Sequence, residues 1–230
     1  MELTYKNLIV AGCSFSTGDG LIENFVNNPT TWSHFLVTKY LKTVDTYYNL
    51  AVSGCGNTGI SKSLIHTIEK HKFESSDTLV LFNISGLQRI DFLCQLECAD
   101  SNENFNYSNL YNFSFLNVPH ISTQVNFFKS SLHKHLGYDQ VILSNSIELI
   151  SLFNYLKSKK IDYKFMLLDD TIEERSPDIL NPYLKEAIKF DGLNMHEYCK
   201  KNNLLHDDGF HPSADGYSVL SDFIYQALIS

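Results

Sequence analysis

The chain has 230 residues, with 18 Lys+Arg against 26 Asp+Glu and a net charge of −8 at pH 7. That length can bury a core without disulfide or metal staples, and 43% hydrophobic with 19% charged residues excludes disorder and coiled coil. The acidic balance argues against nucleic acid or an anionic membrane as the main partner.

No apolar run approaches the roughly 18 residues of a membrane span. The apolar stretch Leu8–Ala11 ahead of Cys13 is too short for the core of an export signal. The expectation is therefore a cytoplasmic protein. The cysteines are Cys13, Cys55, Cys94, Cys98 and Cys199; their odd number and irregular spacing read as reduced thiols.

In chain order, Asn7–Gly12 is a short apolar run ending in Gly, the pattern of a strand buried on both faces. Trp32–Leu41 carries Trp32, Phe35, Leu36 and Tyr40 at helical spacing. Thr46–Val52 reads as a strand, and Asn57–His71 as a helix with Ile60, Leu64 and Ile68 on one face. Thr78–Ile84 is another buried strand. Ser146–Lys159 is helical, Tyr163–Leu168 extended, and Ala214–Leu228 a closing helix with Tyr217, Leu220 and Ile224 along its apolar stripe. Strands alternating with helices predict a parallel sheet covered on both sides, a three-layer α/β/α sandwich. The segment 87–137 breaks this rhythm. It is read as an insertion in a single domain spanning 1–230, or as a pair of missed helices.

Ligands of open parallel sheets bind beyond the carboxyl ends of the strands. There the first strand is followed by Gly12-Cys13-Ser14-Phe15-Ser16. A Ser on a tight turn before a helix is either a cap or a nucleophile. Near the C-terminus, Asp208-Gly209-Phe210-His211-Pro212 places a carboxylate three residues before an imidazole. Such a carboxylate can turn back onto one ring nitrogen and leave the other facing a nucleophile. Pro212 keeps His211 out of the next helix, and Ser213 caps that helix. Ser14, Asp208 and His211 thus offer nucleophile, orienter and base; the alternative is a capped turn plus a surface Asp–His pair.

These blocks resemble the SGNH (GDSL-like) hydrolases. Their Gly-x-Ser after the first strand is matched at Gly12–Ser14, their Gly after the second at Gly54, and their Asp-x-x-His-Pro at Asp208–Pro212. The resemblance implies a flavodoxin-like three-layer fold, with Ser14 as nucleophile and His211 as base oriented by Asp208. It also implies an oxyanion hole built from the amides of Ser14 and Gly54. The family's Asn after the third strand, which completes that hole, has no match in register; Asn83 is the nearest, three residues early, and is the third oxyanion donor expected, with Ser85 or a backbone amide as the substitute. Nor does the chain show the Gly-x-Ser-x-Gly elbow of the larger α/β-hydrolases.

The function expected is a serine esterase acting on small acyl esters such as O-acetyl groups, on a carbohydrate or other small molecule. Arg89, Tyr107 and Tyr111 are the candidate substrate contacts, Arg89 as the partner of a substrate carboxylate or else of a surface ion pair, the tyrosines for stacking on sugars. No cofactor or metal is called for. Three alternatives stay open: an acyltransferase with the same triad, a binding protein with an impaired triad, and a metal-dependent hydrolase using His206, Asp207, Asp208 and His211, with His133 and His135 as further ligands. Gly54-Cys55-Gly56-Asn57-Thr58-Gly59 also fits the G-x-G-x-x-G of dinucleotide sites, without the acidic residue expected downstream.

Overall fold

The computed structural model describes residues 3–18, 30–73, 75–93, 110–113 and 137–230. Strand β1 (Asn7–Ala11) leads into a single helical turn, α1 (Ser14–Thr17), and α2 (Trp32–Lys39) follows. Next come β2 (Thr46–Asn49), α3 (Asn57–His71) and β3 (Thr78–Ile84). Strands β4 (Ile90–Leu93) and β5 (Leu110–Phe113) form an antiparallel pair in the region 87–137. Helix α4 (Tyr138–Lys159) and strand β6 (Asp162–Leu167) return to the main layers. Helices α5 (Thr171–Arg175), α6 (Asn181–Leu184) and α7 (Met195–Lys201) precede the closing α8 (Ala214–Ile229).

The main sheet is all parallel, in the order β2-β1-β3-β6. Burial follows that order. Leu8, Ile9, Val10 and Ala11 of β1 are fully buried, as is every residue of β3. Strands covered on both faces need continuous apolar runs, and these two have them. Edge strand β2 keeps a half-exposed Tyr47 and Tyr48, and β6 starts exposed at Asp162.

Right-handed crossovers put helices that move the chain in opposite directions on opposite faces. Helices α3 and α4 pack together on one side, α2 and α8 on the other. The first pair closes over the sheet through Ile60, Leu64, Leu149, Leu152 and Phe153. The second is pinned by Tyr40 stacked on Tyr225 at 4.1 Å and by Lys39 bonded to Asp222 at 2.9 Å.

The sandwich agrees with the sequence pattern, and two boundaries differ by three residues or more. Strand β2 ends at Asn49 rather than Val52, because the Asn49 side chain accepts from the Ala51 N–H and starts a turn. Helix α4 begins at Tyr138, eight residues before the Ser146 expected. Its first turns bury Val141 and Ile142, while Leu143 and Ile147 stay exposed, which blurs the periodicity there.

Phe153 is fully buried, its ring 4.9 Å from Phe165, 6.1 Å from Phe82 and 5.2 Å from Tyr183. Phe153→Ala is expected to lower the unfolding free energy by about 3–5 kcal/mol, measured by urea denaturation.

Candidate active site

The turn after β1 is shaped by one close approach. A Cβ on Gly12 would lie 1.9 Å from Asn83 Oδ1 and 2.7 Å from Ser16 Oγ, so only glycine fits. Asn83, fully buried in β3, uses that gap to reach under the turn. Its Oδ1 accepts from the Cys13 N–H at 3.2 Å and from Ser16 Oγ at 2.7 Å. Its Nδ2 donates to Cys13 Sγ at 3.2 Å. Ser16 Oγ also accepts from Trp32 Nε1 at 3.2 Å, and Asn49 Nδ2 donates to the Ser16 carbonyl at 3.0 Å. The turn is therefore held from β2, β3 and α2 at once.

Ser14 opens α1 from this anchored turn. Its hydroxyl has no hydrogen-bond partner among the described residues, and the residue keeps 6% of its surface exposed. The Gly18 N–H closes the turn on the Ser14 carbonyl at 3.3 Å, with Gly18 at φ +83°. From α8, the Tyr217 hydroxyl donates to the same carbonyl at 3.5 Å.

The His211 loop is equally fixed. Asp208 Oδ2 lies 2.6 Å from His211 Nδ1. Asp208 Oδ1 accepts from the backbone N–H of Phe210 and of His211, both at 2.9 Å. The His206 N–H donates to the His211 carbonyl at 2.7 Å, and Gly209 turns at φ +70°. Ser213 caps α8, accepting from the Gly216 N–H at 3.1 Å. With Nδ1 engaged, His211 keeps Nε2 without a partner among the described residues. Phe15, next to Ser14, packs its ring 5.6 Å from His211 and 5.3 Å from Phe210. The nucleophile turn and the His211 loop therefore meet through this aromatic contact.

Burial alone would raise the Asp208 carboxyl. The hydrogen bonds from the His211 ring and the two backbone N–H groups outweigh that and hold it at about 2.

The turn after β2 presents Gly54 at φ +73°. It is tied to the first turn by the Val52 N–H donating to the Gly12 carbonyl at 3.1 Å. The backbone N–H groups of Ser14 and Gly54 donate to nothing among the described residues. The Cys55 carbonyl accepts from Ser85 Oγ at 2.8 Å and from Arg89 Nη1 at 3.2 Å.

The glycine-rich segment holds no open anion cradle. The N–H groups of Gly56 and Gly59, at the start of α3, both donate to Asp91, at 2.7 Å each. The protein's own carboxylate occupies the place where a pyrophosphate would sit. Burial pushes the Asp91 carboxyl above the usual range, although both N–H bonds and nearby Arg89 oppose the shift.

Asn83, expected as an oxyanion donor, spends its amide on Cys13 and Ser16 instead. A second primary amide stands beyond the strand: Gln88, whose side chain lies over Gly86 and has no hydrogen-bond partner among the described residues. A search for an asparagine passes over it; the signal in the sequence is Gly86-Leu87-Gln88, a glycine followed two residues later by an amide. Tyr107 lies outside the described residues, as do Cys94, Cys98, His133 and His135. Tyr111 lies in β5, opposite Phe92. Cys13, Cys55 and Cys199 are free and buried. Among the described residues no three His, Cys, Asp or Glu side chains are grouped to hold a metal ion, and no helix is long and apolar enough to cross a membrane.

Asn83→Ala, which strips partners from a buried turn, should destabilise the fold by about 1–3 kcal/mol in chemical denaturation. Because folding lowers the Asp208 value, its contribution is complete above the ordinary 3.8 and lost as pH falls toward about 2. Asp208→Asn should flatten the loss of stability over that interval, read from urea midpoints at successive pH values.

No protein-family model matches the sequence, and no curated protein does. Solved structures do match. A psychrotrophic esterase from Pseudoalteromonas sp. is similar with a TM-score of 0.54 at 13% identity, over 97% of each chain. A member of the lipolytic G-D-S-L family from Veillonella parvula gives 0.53 at 11% identity, over 96% of each. An acetylxylan esterase from Geobacillus stearothermophilus gives 0.53 at 13% identity, over 99% of this chain and 96% of that one. The parallel four-stranded sheet and the layering of its helices are those of the SGNH (GDSL-like) hydrolase fold.

Proposed function

We propose that the chain is a serine hydrolase of small acyl esters, acting through an acyl-enzyme on Ser14. One observation carries the reading: Asp208 fixes His211 at 2.6 Å, in a loop packed on Phe15, while the adjacent Ser14 hydroxyl is left without a structural partner among the described residues. A hydroxyl used only as a helix cap would be bonded to the backbone it caps.

In the first step Ser14 Oγ bonds to the ester carbonyl carbon and its proton passes to His211 Nε2. Asp208 steadies the imidazolium that results. The negative charge on the former carbonyl oxygen is met by the amides of Ser14 and Gly54, with the Gln88 side chain as third donor. The intermediate collapses, the C–O bond to the alcohol breaks, and His211 returns the proton to the departing oxygen. Water then attacks the acyl-enzyme by the same route and frees the acid and Ser14.

The substrate proposed is an O-acyl ester of a small molecule or carbohydrate. The similarity to an acetylxylan esterase supports this choice. Catalytic variants of that esterase replace a serine in one structure and an aspartate in another, consistent with Ser14 as nucleophile and Asp208 as the carboxylate that orients the base. The domain is proposed to span 1–230, with 87–137 as an insertion.

Ser14→Ala should abolish both labelling by a fluorophosphonate and hydrolysis of 4-nitrophenyl acetate; labelling that survives this change would sink the assignment. His211→Asn should lower kcat by about 10³-fold or more. Gln88→Ala should lower kcat by about 10²–10³ with little change in KM, as expected for a donor to the oxyanion; an unchanged kcat would remove Gln88 from that role.

A further inference from the structure

Arg89 is anchored next to the turn that carries Gly54. Its N–H donates to the Gly86 carbonyl at 3.1 Å, and its carbonyl accepts from Asn145 Nδ2 at 2.9 Å. Its guanidinium is fixed by one bond, from Nη1 to the Cys55 carbonyl at 3.2 Å, directly after Gly54. The residue is half-buried, yet among the described residues no carboxylate lies within ion-pair distance of it. Asp91, two residues further on, feels the Arg89 charge from beyond ion-pair distance, but its oxygens are taken by the Gly56 and Gly59 N–H groups, so it accepts none of the guanidinium's donors. A half-buried guanidinium with unused donors is a costly feature unless something anionic meets it. Its planar fork matches a carboxylate.

The fold also says which half of an ester Arg89 would meet. His211 precedes α8, on the α2/α8 face of the sheet, and must lie beside the leaving oxygen to protonate it. Arg89 is held on the α3/α4 face, by Asn145 of α4 and the Cys55 turn before α3. The alcohol half belongs to the first side, which leaves the acyl half for the second.

We propose that Arg89 binds a carboxylate carried by the acyl group, so that the preferred substrates are half-esters of small dicarboxylic acids. This rests on the ester-hydrolase reading and narrows it from acyl esters in general to anionic ones.

The experiment compares the full chain on pairs of equal chain length: monoethyl succinate against ethyl butyrate, and monoethyl glutarate against ethyl valerate, followed by acid release at constant pH. The wild type should favour the charged member of a pair by about tenfold or more in kcat/KM, carried mainly by KM, as for hydrogen bonds to a charged group. Added salt should narrow the gap. Arg89→Gln should collapse the ratio, and Arg89→Lys should retain part of it. Succinate should inhibit ethyl butyrate hydrolysis competitively in the wild type, a measurement that needs no variant. A wild type that prefers the neutral esters, or a ratio that survives in Arg89→Gln, overturns the proposal. Should Arg89→Gln fail to fold, the Lys variant and succinate inhibition decide. If no ester of either kind is turned over and Ser14 is not labelled by a fluorophosphonate, the ester-hydrolase reading itself falls, and this inference with it.

Discussion

The contact between Asn83 and the missing side chain of Gly12 is the constraint on which the site depends. Because Gly12 has no Cβ, the Asn83 amide can come up from β3 beneath the turn and bond both Cys13 and Ser16. Trp32 and Asn49 add their bonds to Ser16, so the turn is braced by four hydrogen bonds with three residues, Asn83, Trp32 and Asn49. A buried amide left without partners would cost more than its bonds contribute. The arrangement therefore tolerates few alternatives, and it projects Ser14 out of the turn with its hydroxyl unused among the described residues.

A second constraint comes from the opposite end of the chain. An Asp–His pair on a partly exposed loop contributes little by charge alone. In this loop the same carboxylate also accepts two backbone N–H groups, so loop shape and imidazole orientation are set by one side chain. Phe15 then transmits that order to the Ser14 turn through ring packing. Across the sheet, Asp91 performs a similar task for the strap after β3. By taking the N–H groups at the start of α3, it docks the strap carrying Gln88 and Arg89 against the turn that carries Gly54. The positive end of a helix makes that seat favourable for a carboxylate.

Much of this is legible in the residues. The two central strands can be read because burial on both faces demands unbroken apolar runs. The helices that cover the sheet can be read because one face of each is apolar at a period near 3.6. Asp208 and His211 can be paired because only a short turn separates them and Gly209 permits it. Asn83 is legible as a nearby amide but not in its actual task, since nothing local in Leu81–Ser85 shows which way the side chain points. Gln88, proposed as the third donor, escapes a reading that ties that role to a residue type rather than to a chemical group. The start of α4 and the short helices α5, α6 and α7 are obscured by weak periodicity.

By itself, then, the sequence determined the layered α/β architecture, the Gly-Cys-Ser turn and the local Asp208–His211 pair. Each of these depends on neighbours a few residues apart or on a repeating pattern of burial. The acidic composition argued against a polyanionic partner without locating any charge. Only the tertiary structure decided that Asn83 braces the turn from below, that Asp91 fills the glycine-rich cradle, and that Arg89 stands without a carboxylate partner among the described residues. Those contacts join residues tens of positions apart in sequence. Their energy comes from groups that meet only when the sheet and its covering helices have assembled.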